Sequence, residues 1–204
     1  MKTVLIRHGR TQGNIDKRYS GGGTDDPLSD EGRAELCRIE ADPDSMIFIS
    51  PMIRARQTAD ILFPDQDKTV IEGLREMHFG LFEGRTHWEL DGDPVYQAWI
   101  DSMGELRIPD AEDREAFIRR SMDGLREALQ TAKAEGAKTV YLVCHGGTAM
   151  SVMMTLFGGA YYDYHPHNGC GYTFEAEVDD AGNVVAAGTY DSFCCGVLAG
   201  SPDR

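Results

Sequence analysis

Short, unbroken apolar runs alternate along this chain with longer stretches of helical period. Thr3 to Ile6, Ser45 to Ser50 and Lys138 to Cys144 are compact runs of aliphatic and β-branched side chains, the pattern of strands covered on both faces. Thr69 to Ile71 predicts a shorter strand. Ser29 reads as a helix N-cap with Asp30 and Glu31 in the first turn, and its helix is expected to reach Glu40. Pro51 stands at the favoured first position of another helix, ending near Phe63. Phe117, Ile118, Met122, Leu125, Leu129 and Ala132 recur at helical spacing and predict a long amphipathic helix from Glu112 to Glu135. A further helix is predicted from Thr148 to Phe157, with weaker ones between Thr86 and Ile100. Gly171 to Val178 and Val184 to Tyr190 alternate as two more strands around the turn Asp180 to Asn183.

Strands alternating with helices imply an α/β fold, a three-layer α/β/α sandwich with a mostly parallel central sheet. The 204 residues suffice for one core and are read as a single domain over 1–204. A net charge of -14 disfavours nucleic acid and anionic membrane surfaces as partners, so an anionic substrate needs a local basic pocket. The five cysteines, odd in number and irregularly spaced, are read as reduced thiols. A first strand beginning at Lys2 or Thr3 leaves no room for a signal peptide, and no apolar run is long enough to span a membrane. A soluble, cytoplasmic protein is expected.

Chemistry gathers at strand ends, where parallel sheets bind ligands. The first strand ends in Arg7, His8 and Gly9; that of Lys138 to Cys144 ends in His145, Gly146 and Gly147. Ser50 and Pro51 close another and place Arg54 in the first turn of the next helix. If these strands are neighbours, two imidazoles and two guanidiniums face one cavity, and such a cavity suits a phosphoryl dianion. Arginines beside His8 lower its proton affinity and leave a ring nitrogen free as a nucleophile. Gly9 is expected to let the backbone pass close to that phosphate. Ser50 reads as a strand-end cap, Glu83 and His78 as loop-packing residues, and Cys144 as core. His165 and His167 lack a third ligand at useful spacing, so no metal site is assigned to them.

The segments IRHGRTQGN (Ile6 to Asn14), DDPLSDEG (Asp25 to Gly32), SPMIRARQTA (Ser50 to Ala59), LREMHFGLFEG (Leu74 to Gly84) and VCHGGT (Val143 to Thr148) together resemble the histidine phosphatase superfamily, also called phosphoglycerate mutase-like. The resemblance implies that fold, and a phosphohistidine formed on His8. It implies that Arg7, Arg54 and His145 bind the phosphoryl oxygens, that Asn14 is a further donor, and that Glu76 is the general acid. It implies no metal and no cofactor. Arg10 stands where many members carry Glu, Ser20 where many carry Gln, and Pro109 to Asp113 replace a frequent Pro-Gly-Gly-Glu-Ser.

These departures alter the rim and leave the phosphate chemistry in place. FGLFEGRTHWEL resembles the phosphatase branch, including α-ribazole phosphatases, and only Lys17 and Arg18 offer extra basic rim residues. The expected function is therefore a metal-independent phosphomonoesterase acting on a small phosphorylated metabolite. Mutase-type phosphoryl transfer and a catalytically silent phosphate-binding module are the alternatives. The sequence leaves a homo-oligomer open.

Overall fold

The computed structural model describes residues 1–195. In chain order the elements are β1 (Lys2–Arg7), α1 (Gln12–Ile15), α2 (Asp30–Ala34), β2 (Ser45–Ile49), α3 (Ile53–Leu62) and β3 (Lys68–Val70). They are followed by α4 (His87–Leu90), α5 (Pro94–Asp101), α6 (Arg114–Ala134), β4 (Thr139–Cys144), α7 (Gly146–Phe157), β5 (Cys170–Val178) and β6 (Val184–Cys194). The six strands form one sheet in the order β3-β2-β4-β1-β5-β6. Strands β3, β2, β4 and β1 are parallel, and β5 and β6 complete the sheet antiparallel.

The apolar runs are two interleaved faces. Val4 and Ile6 pack with Ile47, Ile49 and Val143 against Ala55, Ala59 and Leu62 of α3. Leu5 packs with Phe48, Val140 and Leu142 against Leu125 and Leu129 of α6 and Val152 of α7. Because successive strand side chains point to opposite faces, each run supplies both layers and must be apolar throughout. Full burial of each such aliphatic side chain contributes about 2 kcal/mol. The chain leaving β1 packs Leu28 and Leu36 on the α3 face, whereas α7, leaving β4, lies on the other. Two adjacent parallel strands whose connections part in this way open a crevice at their carboxyl ends.

Several boundaries differ from the sequence reading, each for a local reason. The helix capped by Ser29 stops at Ala34, not Glu40. Glu35 pairs with Arg10, and the Ile39 N–H donates to Leu62 O at 2.8 Å, which draws the chain out of helical register. Pro51 does not open α3; Met52 is its N-cap, with extended backbone, and the first free donor, Ile53 N–H, is taken by Asp25 Oδ1 at 2.8 Å. β6 runs to Cys194 and not Tyr190, because a register shift opposite Phe174 and Glu175 breaks its period. The thiol reading is corrected as well: Cys170 and Cys194 are disulfide-bonded. The antiparallel register sets them directly opposite, a pairing that a separation of 24 residues conceals in the sequence. The bridge removes the cysteine argument for a reducing compartment. Among the described residues, no helix is long and apolar enough to cross a membrane.

Gly171 marks the closest approach of β5 to β1. A Cβ there would lie 1.8 Å from Leu5 O, which is backbone of the central strand and cannot yield without disturbing the ladder. Gly171→Ala is expected to lower stability by about 2 kcal/mol, read as a fall in the urea midpoint. An unchanged midpoint would contradict this packing.

Candidate active site

The carboxyl ends of β1, β2 and β4 meet because the ladders continue one residue past the strands. His8 N–H donates to Cys144 O at 3.0 Å, and Ser50 N–H donates to Val143 O at 2.9 Å. His145, the N-cap of α7, therefore lies between the two chain segments. Its ring meets that of His8 edge-on at a centroid distance of 5.2 Å. Arg54 in the first turn of α3 completes the group, fully buried.

The hydrogen bonds fix the tautomers. His8 Nδ1 lies 2.7 Å from Gly9 O, which only an N–H can satisfy, so Nε2 carries the lone pair and has no partner among the described residues. Arg54 Nε donates to His145 Nδ1 at 3.3 Å, so His145 Nε2–H donates to Ser50 Oγ at 2.7 Å. Both ring nitrogens of His145 are thus engaged by the protein. Burial, then Arg54, then Arg7 hold the His8 imidazole well below its usual range. Burial and Arg54 do the same for His145.

The two arginines act differently. Arg54 gives Nη1 to Thr24 O at 2.6 Å and Nη2 to Ser20 O and Gly21 O at 3.3 and 3.1 Å, so it clamps the loop while keeping its charge in the site. Arg7 uses Nη1 on Pro166 O, at 2.8 Å, and on His165 Nε2, at 3.2 Å. Among the described residues its Nε is buried without a partner, as is Ser20 Oγ, and both side chains line one cavity of about 230 Å³. Burial pulls the Arg7 guanidinium down to about 10, which leaves it charged at neutral pH.

Glu76 enters the same cavity from the opposite wall. Its oxygens accept from Met77 N at 2.8 Å and Gly147 N at 3.0 Å. Burial outweighs those donors and both arginines and raises its carboxyl above the usual range. A Cβ on Gly147 would lie 2.4 Å from Glu76 Oε1, so glycine is what lets the acid sit against the start of α7. The arrangement can hold a tetrahedral oxyanion between free N–H groups, a neutral nucleophilic nitrogen and a protonatable carboxyl.

A family model described as histidine phosphatase superfamily (branch 1) matches residues 3–186. The chain belongs to the histidine phosphatase superfamily. It is 31% identical over 165 residues to 2,3-bisphosphoglycerate-dependent phosphoglycerate mutase 2 of Gloeobacter violaceus, covering 75% of this chain and 74% of that protein. To the adenosylcobalamin/alpha-ribazole phosphatase of Escherichia coli K12 it is 28% identical, over 83% of this chain and 87% of that one. The crystal structure of the alpha-ribazole phosphatase from Shigella flexneri superposes with a TM-score of 0.71 at 25% identity, covering 92% and 95% of the two chains. As a histidine phosphatase the protein is an enzyme.

The structure brings Arg7, His8, Arg54, Glu76 and His145 together and places Asn14 at the rim. Asn14 Oδ1 accepts from Thr11 N and Asn168 Nδ2, both at 3.1 Å, which leaves its amide N–H groups as donors. A Cβ at Gly9 would lie 2.9 Å from Leu36 Cδ1 and 3.2 Å from Gly32 O, so glycine lets the chain pack against α2 and Leu36. Glu83 holds Gly21 N, Thr24 Oγ1 and Phe79 N, and so fixes the loop that Arg54 also grips. The sequence reading missed His165 and Asn168. Asn168 Nδ2 donates to His8 O at 3.1 Å, and Gly169 N–H reaches Arg7 O and His8 O, each at 3.1 Å. Antiparallel pairing of β5 with β1 is the signal that would have found them, because it returns the 165–169 loop to the end of β1.

Buried neutral imidazoles make histidine phosphatase stability depend on pH. His8 and His145, both buried, lie well below 6.5, and His165, on an exposed loop, is pushed down to about 4 by partial desolvation, Arg7 and His167. Below pH 6.5 the unfolded chain binds protons that the folded chain refuses, so their contribution is intact above that pH and is lost as pH falls. Glu76, raised above 4.5, acts oppositely, but one carboxyl faces three imidazoles. The urea midpoint is expected to fall from about pH 7 to about pH 5, and to fall less in His8→Asn. A midpoint independent of pH would contradict the neutral assignments.

Proposed function

We propose that the protein hydrolyses the phosphomonoester of a small metabolite through a phosphohistidine on His8. The observation that carries this reading is His8 Nε2, without a partner among the described residues and held neutral by burial and two guanidiniums, one of which, Arg7, lines a cavity together with a protonatable Glu76. Nε2 attacks phosphorus in line with the ester oxygen, and Glu76 donates its proton to that oxygen as the bond breaks. Arg7 Nε and Ser20 Oγ, with the Asn14 amide, take the equatorial oxygens. Arg54 and the start of α7 supply positive potential at the same place. His145, locked between Arg54 and Ser50, holds the geometry and widens the field through Arg54. Glu76, now ionised, then accepts a proton from water attacking the phosphohistidine. Two guanidinium charges serve where a divalent cation serves in other phosphoryl-transfer sites.

Hydrolysis is favoured over mutase-type transfer because two of the basic rim residues are already engaged. Arg10 is paired with Glu35, and Arg18 with Glu89 and Asp16, which leaves few cations to retain a phosphorylated intermediate. The relatives act on different compounds by name, an α-ribazole or adenosylcobalamin phosphate in one case and a phosphoglycerate in another, so the metabolite is not fixed by kinship.

With 4-nitrophenyl phosphate and a chelator present, the wild type is expected to turn over and His8→Ala to lose roughly a thousandfold in kcat. Alkaline denaturing quench of a reaction with a phosphomonoester labelled in its phosphoryl group should trap an acid-labile, alkali-stable adduct on the wild type alone. Activity surviving His8→Ala would overturn the mechanism. Glu76→Gln gives a second check. With an alkyl phosphate, whose leaving oxygen needs the proton, kcat should fall by about 100-fold or more, and with 4-nitrophenyl phosphate far less. Equal losses would remove Glu76 from the role of acid.

A further inference from the structure

Three arginines line the catalytic cavity, and two of them have partners. Arg7 is bonded to Pro166 O, and Arg18 to Gly84 O and Glu89. Arg114 has neither a hydrogen bond nor an ion pair among the described residues. It opens α6 directly after the N-cap Asp113, and its Cζ lies 4.5 Å over the ring of Tyr161. Tyr161 is buried, and its hydroxyl donates to Gly147 O at 3.2 Å. Gly147 is the residue whose N–H holds Glu76. The unpaired guanidinium therefore stands on a ring fixed to the residue that holds the acid, and it lines the same cavity as Glu76.

Neighbouring carboxylates are otherwise engaged or turned to solvent. Glu112 holds Arg120 through both oxygens, at 2.9 and 2.7 Å, Asp113 Oδ1 caps Ala116 N at 2.9 Å, and Glu115 is exposed. In a chain of net charge -14, a cation kept free inside the cavity calls for an anion delivered by the ligand. A guanidinium lying over an aromatic ring keeps its in-plane N–H groups available as a fork, and a carboxylate matches that fork in plane and spacing. Opposite it, Trp99 and Met77 offer apolar wall.

We propose that Arg114 is a specificity-determining residue that receives a carboxylate on the leaving group, so that the substrate is a phosphorylated carboxylic acid. The assignment rests on the phosphatase reading above and deepens it. Arg114 contributes to binding and takes no part in bond breaking, so its effect falls on KM.

The test compares phenyl phosphate with 3- and 4-carboxyphenyl phosphate in the wild type, Arg114→Met and Arg114→Lys. Comparing variants on the same pair of esters cancels differences in leaving-group chemistry. The wild type is expected to favour one carboxylated ester, and Arg114→Met to reduce that preference roughly tenfold or more through KM. Arg114→Met should cost the favoured carboxylated ester far more in kcat/KM than phenyl phosphate, and Arg114→Lys should restore part of the preference. A preference that survives Arg114→Met, or a wild type that hydrolyses phenyl phosphate with no preference, overturns the Arg114 assignment and leaves the phosphatase reading standing. A wild type that hydrolyses none of the three overturns both. A stronger preference for phenylene bisphosphate, equally lost in Arg114→Met, overturns the carboxylate as the group received.

Discussion

The buried charge of Arg54 is the constraint on which the site depends. A guanidinium fully out of water is costly unless its N–H groups are satisfied, and here the carbonyls of Ser20, Gly21 and Thr24 and the His145 ring do so. Satisfying Arg54 therefore folds the loop over the cavity and sets the His145 tautomer in one arrangement. The same charge, undiluted by water, presses protons off His8 and His145. Glu83 gives the loop a second anchor through Gly21 N and Thr24 Oγ1, so the carbonyls stay aimed at Arg54. Loss of any one of these partners would leave a buried charge exposed to its full desolvation cost.

Burial shifts the proton affinities of His8 and Glu76 in opposite directions, and both shifts suit the proposed chemistry. It disfavours the charged form of each, which keeps an imidazole free to attack and a carboxyl ready to donate. No second device is needed to separate their roles, although Gly147 N–H and Met77 N–H pull Glu76 the other way and keep it able to ionise once its proton has gone. Arg7 adds what Arg54 lacks, an unpartnered donor at the cavity wall. Charge and hydrogen-bonding capacity thus come from different arginines. A lysine at position 54 would preserve the field and lose the loop, whereas one at position 7 would preserve the field and lose the aimed donor.

Much of this was legible in the sequence because strand ends announce themselves. Buried runs that stop in Arg7-His8-Gly9 and His145-Gly146-Gly147 localise the chemistry once parallel pairing is assumed, and β1 and β4 are indeed neighbours. What was not legible depends on long-range register. The clamp of Asn168 and Gly169 on His8 follows from β5 running antiparallel beside β1, and the Cys170–Cys194 bridge from β5 facing β6. Local pattern carries no information on either. Helix ends were missed where a distant partner decides them, as Asp25 does for Ile53 and Leu62 for Ile39.

The wall that meets the leaving group is built separately from the chemistry. Phe82, Leu90, Ile108 and Ala111 form a small core of their own, with Tyr19, Phe79, Tyr96 and Trp99 packed against it, apart from the two cores that flank the sheet. His8 and His145 are anchored to β1 and β4, whose burial ties them to global stability. Trp99 and Tyr19 answer instead to the satellite core. Packing energy falls off within contact distance, so substitutions in the satellite can reshape the leaving-group wall without moving His8 relative to Arg54. A fold divided in this way can keep one phosphoryl-transfer geometry while its substrate changes, and the relatives it resembles carry names with different substrates.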